Sequence, residues 1–326
     1  MKIIITGGCG FIGSSITRLL LKNNNNKVLN IDKLTKVSSK NLLSKYKKKN
    51  YYFQKIDICN TKKILEIFLK FDPDIIINCA AESHVDNSIS SPKRFIKSNI
   101  FGTFNLLESS RMLNKKNFLF FHISTDEVYG SLSIKEKSST EKSKYYPNSP
   151  YSASKASSDH LVRAWNKTYK INTIITNCCN NFGPWQYPEK LIPKIITACI
   201  KKTTIPIYGN GLNKREWIYV DDHSKTIQKL IKKGKYGESY NIGSGFEISN
   251  IALAKKICNF YSLIKKDNFD YLKLIKYVDD RKAHDFRYSI DDTKLKKTIG
   301  KVSKKNFDIN LINTIKWYIT NHSLKY

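Results

Sequence analysis

Residues 3–13 read Ile-Ile-Ile-Thr-Gly-Gly-Cys-Gly-Phe-Ile-Gly, and the fold turns on this stretch. Residues 3–6 have the β-branched character of a buried strand. Gly7, Gly10 and Gly13 follow at GxxGxxG spacing and open a helical run beginning at Phe11 and Ile12. Glycine there permits a tight turn and lets the backbone approach a pyrophosphate. The helix N-terminus then offers free N–H groups to the phosphate charge. An acid belongs at the end of the next strand, and Asp32 stands there, 19 residues after Gly13. Its carboxylate would accept hydrogen bonds from ribose hydroxyls and repel a 2′-phosphate, which favours NAD over NADP.

Outward from this stretch the first half alternates short apolar runs with helical ones. Residues 27–31, 52–56, 75–79, 118–124 and 173–177 read as further strands. Residues 11–22, 62–70, 92–114 and 151–169 read as helices. That alternation predicts βαβ units: an α/β fold with a doubly wound parallel sheet of the Rossmann kind. From Asn180 to Arg215 the chain carries Gly183, Pro184, Pro188, Pro193, Pro206, Gly209 and Gly211, and it reads as a smaller, loop-rich α/β lobe. Residues 240–242 read as a returning strand, and 251–261 and 311–321 as helices. We therefore expect an NAD-binding lobe over 1–179 with a chain return at about 216–243. A substrate lobe is expected over 180–215 and 244–326. No flexible linker separates them, so close packing is expected.

Composition narrows the class. Of 326 residues, 40% are hydrophobic, enough for a sizeable core, yet no apolar run approaches a membrane span. The chain enters its first strand directly, with no separate apolar leader, so no secretion signal is expected. The seven cysteines form no CxxC pair and read as reduced thiols of a cytoplasmic protein, not as disulfides or metal ligands. Lys and Arg number 57 against 27 acids, a net charge of +30. The lysines are scattered, at 45–49, 201–202 and 232–233, and form no arm with interleaved aromatics. This points to a proteome biased toward Lys, Asn and Ile rather than to nucleic-acid binding, though a basic surface still attracts an anionic small substrate.

Two stretches carry chemistry. In YSASK, Tyr151 and Lys155 stand four apart and share one helix face. Tyrosine, with a pKa near ~10, is a poor base unless a nearby ammonium favours the phenolate. Such a pair can take a proton from an alcohol as hydride leaves its carbon. In STDEVYG, the carboxylates Asp126 and Glu127 lie directly off a strand end. They form either a solvated loop or an acid and a base aimed into a cleft. Adjacent carboxylates push each other's pKa apart.

Six motifs appear in order: GGxGFIG from Gly7, AAESHVD from Ala80, STDEVYG from Ser124, YSASK from Tyr151, NNFGPxQYPEKLIP from Asn180 and REWIYVDDH from Arg215. Over residues 2–291 the chain resembles the extended short-chain dehydrogenase/reductase family, more narrowly its branch that dehydrates dTDP-glucose. The epimerases of that family usually carry a small residue or serine where this chain has its acidic pair. The resemblance implies oxidation at C4 by NAD with Tyr151 as base and Thr125 hydrogen-bonded to the same oxygen. It implies removal of the C5 proton by Glu127, protonation of the departing C6 hydroxyl by Asp126, and hydride return to C6. It places Lys33, Leu34, Thr35, Asp57, Ile58, Ala80, Ala81, Ser83, Ser98, Asn99, Lys155 and Asn181 around the cofactor. It places Ser83, His84, Asn180, Lys190, Leu191, Pro206, Ile207, Tyr208, Asn250, Arg281 and His284 around a nucleotide-sugar substrate, with Arg215 on the diphosphate. It also implies a homodimer through helices such as 92–114 and 151–169. UDP-glucose remains the alternative substrate. Where the family shows DRPGHD, residues 280–285 read Asp-Arg-Lys-Ala-His-Asp, which puts the shape of that turn in doubt.

Overall fold

The computed structural model describes residues 1–39, 43, 50–300 and 306–321; the lysine run at 45–49 lies outside the described residues. Twelve strands form among them: β1 Lys2–Thr6, β2 Lys27–Asp32, β3 Tyr51–Lys55, β4 Ile75–Asn78, β5 Leu119–Thr125, β6 Thr173–Cys178, β7 Asn180–Phe182, β8 Ile205–Tyr208, β9 Lys214–Tyr219, β10 Glu238–Ile242, β11 Glu247–Ser249 and β12 Ile275–Val278. Seven of them make one parallel sheet in the order β10-β6-β5-β4-β1-β2-β3. The six strands expected in the first half all appear, each within one residue of its expected ends.

Alternation along the strands explains the two covered faces. Ile3, Ile5, Ile77 and Phe121 point to one side, where α1 (Phe11–Leu20) and the later helix Val220–Lys233 supply Ile16, Leu20, Ile227 and Leu230. Ile4, Ile76, Phe120 and Ile175 point to the other. There α2 (Thr61–Phe71), the helix Gly102–Met112 and the helix Pro150–Tyr169 bring Ile64, Phe68, Leu106 and Val162. A strand buried on both faces needs this uninterrupted apolar run.

The expected helix at 92–114 forms over 92–112, running through α4 (Pro92–Phe95), a π-helical turn Ile96–Phe101 and α5 (Gly102–Met112), with the short α3 (Val85–Ser90) before it. The long α6 (Pro150–Tyr169) starts from a Ser149–Ser152 capping box, with Pro150 in its first turn.

The stretch 180–215 holds more regular structure than its prolines suggest. It contains β7, α7 (Leu191–Lys201), β8 and the start of β9. Pro193 sits in the first turn of α7, where the missing N–H has no intrahelical partner to lose. With α9 (Asn250–Lys265) and α11 (Phe307–Asn321), α7 encloses a separate core of Phe182, Ile192, Ile196, Leu253, Ile257, Leu311 and Ile315. Between these come α8 (Val220–Lys233) and α10 (Thr293–Ile299). Ile290, Leu295 and Ile299 cross back onto the core of the large sheet. Among the described residues, no helix is long and apolar enough to cross a membrane.

Candidate active site

The two cores face each other across a cleft of about 690 Å³ at the C-terminal ends of β1, β2, β4, β5 and β6. This is where a doubly wound sheet places its ligand. At the β1 end the backbone is cut close. Gly7 has φ +69°, and a Cβ there would come within 2.8 Å of the Ala80 backbone; one on Gly13 would lie 2.3 Å from the Gly7 carbonyl. Only glycine lets α1 begin against this turn, and the N–H groups it leaves bare fit a dinucleotide pyrophosphate. Asp32 ends β2 and accepts the Cys9 N–H at 3.0 Å and the Leu34 N–H at 2.8 Å. Burial raises its pKa against those two bonds. Lys33 reaches Glu82 at 3.3 Å and Asp57 at 3.9 Å.

The acidic pair follows from how β5 ends. Thr125 leaves the strand, its hydroxyl caps the turn Asp126–Tyr129 by accepting the Glu127 N–H at 3.3 Å, and Gly130 closes the turn at φ +83°. Both carboxylates therefore turn inward, and the solvated-loop reading is excluded. Glu127 lines the cleft. Asp126 lies behind it, 2% exposed, with Thr125 Oγ1 at 3.3 Å from Oδ1 and no partner on Oδ2. Burial, then Glu127 and Glu216, hold the Asp126 pKa well above the usual carboxylate range, with Arg215 and Thr125 opposing. Glu127 is also raised by burial, but Arg215, Lys190 and Arg281 pull it down. The two neighbours thus have different proton affinities for a stated reason: one faces carboxylates, the other cations.

Tyr151 and Lys155 sit on the buried face of α6, and Tyr151 packs edge-on against Phe95. The expected lowering of the tyrosine by its lysine is not what this arrangement produces. Burial and then Glu127 push the phenol well above its ordinary value, with a hydrogen bond from Thr125 working the other way. Lys155 instead donates to the Ile123 carbonyl at 2.8 Å.

The far end of the cleft is built mainly by the second lobe. Lys190 Nζ donates to the Ser83 carbonyl at 2.7 Å, Arg281 pairs with Asp86 at 3.4 Å, and the Tyr208 hydroxyl meets Asp86 at 3.5 Å. Arg215 is fixed by carbonyls: NH2 donates to Asp285 O at 2.8 Å and NH1 to Phe286 O at 3.2 Å, above the Tyr288 ring. His84 accepts the Asn87 N–H and so caps α3 while lining the cleft. The turn at 280–285 survives without its Pro-Gly because Ala283 takes φ +51°, and His284 pairs with Asp280 at 2.6 Å.

Most residues named from the sequence line this one cleft; Leu34, Asn99 and Asp126 do not. Leu34 offers only its backbone to Asp32. Asn99 brackets Glu82, accepting its N–H at 2.8 Å and donating to its carbonyl at 3.0 Å. The π turn makes this possible: its extra residue brings both Ser98 and Asn99 inward, with Ser98 at the cleft. Sequence reasoning missed Asp86, Lys194 and Tyr288. Asp86 lay inside a motif already singled out; nothing local marked the other two. Among the described residues no group of His, Cys, Asp and Glu is set to hold a metal ion, and none of the seven cysteines is in a disulfide.

Comparison with known proteins agrees with this geometry. The family model described as GDP-mannose 4,6 dehydratase matches residues 4–312. A dTDP-glucose 4,6-dehydratase of Escherichia coli is 46% identical, covering 98% of this chain and 94% of its own. That of Haemophilus influenzae is 43% identical over 99% of both. The crystal structure of DesIV, a dTDP-glucose 4,6-dehydratase from Streptomyces venezuelae with NAD and dTDP bound, superposes with a TM-score of 0.92 at 38% identity, covering 99% of this chain and 98% of that one. By sequence and structure, the chain belongs to the nucleotide-sugar 4,6-dehydratase family of extended short-chain dehydrogenase/reductases.

Proposed function

We propose that the chain is an NAD-dependent hydro-lyase that converts dTDP-glucose to dTDP-4-keto-6-deoxyglucose, for the biosynthesis of rhamnose-type deoxysugars. The observation that carries this reading is the acidic pair: Glu127 in the cleft wall and Asp126 buried behind it, at the end of the strand beside Tyr151 and Lys155. An epimerase needs no such pair, because it expels no water. The bare turn at Gly7 to Gly13 and the acid at Asp32 suit NAD, which supplies reversible hydride acceptance.

The residues divide the work. Tyr151 takes the O4 proton while Thr125 hydrogen-bonds that oxygen. The ketone formed at C4 makes the C5 proton acidic through enolate delocalisation, and Glu127 removes it. Asp126, holding its proton, gives it to the departing C6 hydroxyl. Positioned acids and bases of this kind contribute ~10²–10⁴-fold each. Arg215 binds the diphosphate; Lys190, Leu191, Pro206, Ile207, Tyr208, Asn250, Arg281 and His284 enclose the nucleotide end. Asp57, Ile58, Ala80, Ala81, Ser83, Ser98 and Asn181 enclose the cofactor. The cofactor lobe is 1–179 with 216–243, and the substrate lobe is the remainder, with residues 290–299 crossing back.

The reading extends to a cytoplasmic homodimer. Exposed Ile96, Phe101, Phe104, Met112 and Tyr169 on the π turn, α5 and α6 support that interface. Incubation with dTDP-glucose and UDP-glucose in parallel, with mass spectrometry for loss of one water, tests the substrate. We expect dTDP-glucose to be turned over faster; equal turnover or UDP preference would replace it.

A further inference from the structure

Beneath the catalytic residues runs a row of buried polar side chains across three adjacent strands. Thr6 of β1, Asn78 of β4 and His122 of β5 are register partners. The Thr6 hydroxyl donates to Asn78 Oδ1 at 2.7 Å, which turns the Asn78 amide nitrogen toward His122 Nδ1 at 3.2 Å. Nδ1 is then an acceptor, and the histidine carries its proton on Nε2. That nitrogen faces Asp159 Oδ1 at 3.4 Å and Ser158 Oγ at 3.1 Å. Lys155 Nζ, 3.4 Å from the same protonated nitrogen, finds no acceptor there and turns to the Ile123 carbonyl. The other oxygen of Asp159 accepts from Ser124 at 2.9 Å, Tyr145 at 2.9 Å and Asn177 at 3.1 Å. Asp159 is fully buried and Lys155 nearly so.

We infer that Asp159 is a positioning residue for the proposed reaction: its carboxylate is the buried counter-anion that keeps Lys155 charged behind Tyr151, and the Thr6–Asn78–His122 row holds the histidine neutral so that this charge is spent on the lysine. The inference rests on the reading of Tyr151 and Lys155 given above. A buried ammonium loses its proton unless an anion opposes its desolvation. The groups that face Lys155 are few. His122 from β5 is pushed down to about 4 by burial and then by the lysine itself, so it is uncharged. Cys178 from β6 and Cys79 beyond β4 are pushed up to about 12 by burial and remain thiols. Tyr151 on its own helix is a phenol at rest, its pKa raised by burial and then by Glu127, and is a phenolate only in the state that takes the O4 proton. That leaves Asp159, one turn further along α6. Arg163, also on α6, touches Asp159 only through the Tyr145 hydroxyl, and Tyr129 faces it as a neutral phenol.

The test is single-turnover reduction of bound NAD by dTDP-glucose, followed by nicotinamide absorbance across pH. It is run in a Glu127→Gln background, where elimination is blocked. Asp159→Asn keeps the side-chain shape and removes the charge. The alkaline limb of the rate is expected to move to lower pH by about 1–3 units. Tyr145→Phe removes a hydrogen bond to the same carboxylate and is expected to leave the limb in place. An unmoved limb, or a loss equal at every pH, overturns the inference. Absence of reduction in the Glu127→Gln parent overturns the proposed function instead. If Asp159→Asn does not fold, side-chain ¹⁵N NMR of the NAD-loaded wild-type chain decides: Lys155, assigned by its loss in Lys155→Arg, is expected to be an ammonium at neutral pH, and a neutral amine overturns the inference.

Discussion

Two buried aspartates, Asp126 just past the end of β5 and Asp159 on Lys155's own helix, are driven in opposite directions. Asp126, behind Glu127, has one hydroxyl near one oxygen, nothing on the other, and two further carboxylates in view. Asp159, on the buried face of α6, gathers three donors on one oxygen, faces the His122 imidazole across the other, and has Lys155 one turn away. Burial alone raises both. For Asp159 it is outweighed by His122, Lys155 and Ser124, which hold it below the ordinary range; for Asp126 it is reinforced. Burial does not decide whether a carboxyl is an acid or an anion. The number of donors and the sign of the neighbours do.

Substitutions can break this contrast, beginning with the largest effect. Asp126→Asn keeps the size and removes the transferable proton. Dehydration is expected to fall by ~10²–10⁴-fold while hydride transfer from C4 persists. Product assay against single-turnover nicotinamide absorbance checks this, and loss of both steps would remove Asp126 from the role of acid. Glu127→Gln is expected to stop exchange of the C5 proton with solvent by a similar factor. Exchange at the wild-type rate would make another group the base.

Smaller effects concern stability. A carboxyl whose folded pKa is raised costs stability progressively as pH rises above its unfolded value. Asp126→Asn is therefore expected to raise Tm by about 2–4 °C at neutral pH and by less in mild acid. A carboxyl whose folded pKa is lowered contributes stability above its unfolded value and loses it as pH falls through the folded one. Asp159→Asn is thus expected to lower Tm at neutral pH, with the deficit shrinking on acidification. Thermal scans at two pH values read both; slopes of the same sign would dissolve the contrast. The smallest effect is expected far from either aspartate. Ala283→Gly relieves a left-handed residue and should add about 1 kcal/mol, read as a small rise in Tm.

Local pattern carried much of this. The inner strands β1, β4 and β5 are buried on both faces, so their apolar runs were visible in the sequence; the edge strand β10, reading Glu-Ser-Tyr-Asn-Ile, showed only its last three residues. The glycines at 7, 10 and 13 answer to a backbone too close for Cβ atoms, a constraint that acts through neighbours in the chain. The π turn was invisible, because one extra residue in a helix changes no composition. β8, α7 and β9 were obscured because prolines at a helix start and in a short strand look like breakers until the hydrogen bonds are known.

The sequence by itself determined which groups could do chemistry here: an acidic pair after a strand, a tyrosine and lysine one turn apart, glycines before a helix. Their residue types and spacing are local properties of the chain. Only the tertiary structure decided their proton affinities. Burial, then Glu127 and then Glu216 from β9 raise the Asp126 pKa well above the carboxylate range, while His122 from β5, Lys155 and Ser124 outweigh burial and lower that of Asp159. Electrostatic influence depends on distance through space, and Glu216 and His122 lie far along the chain from the aspartates they act on.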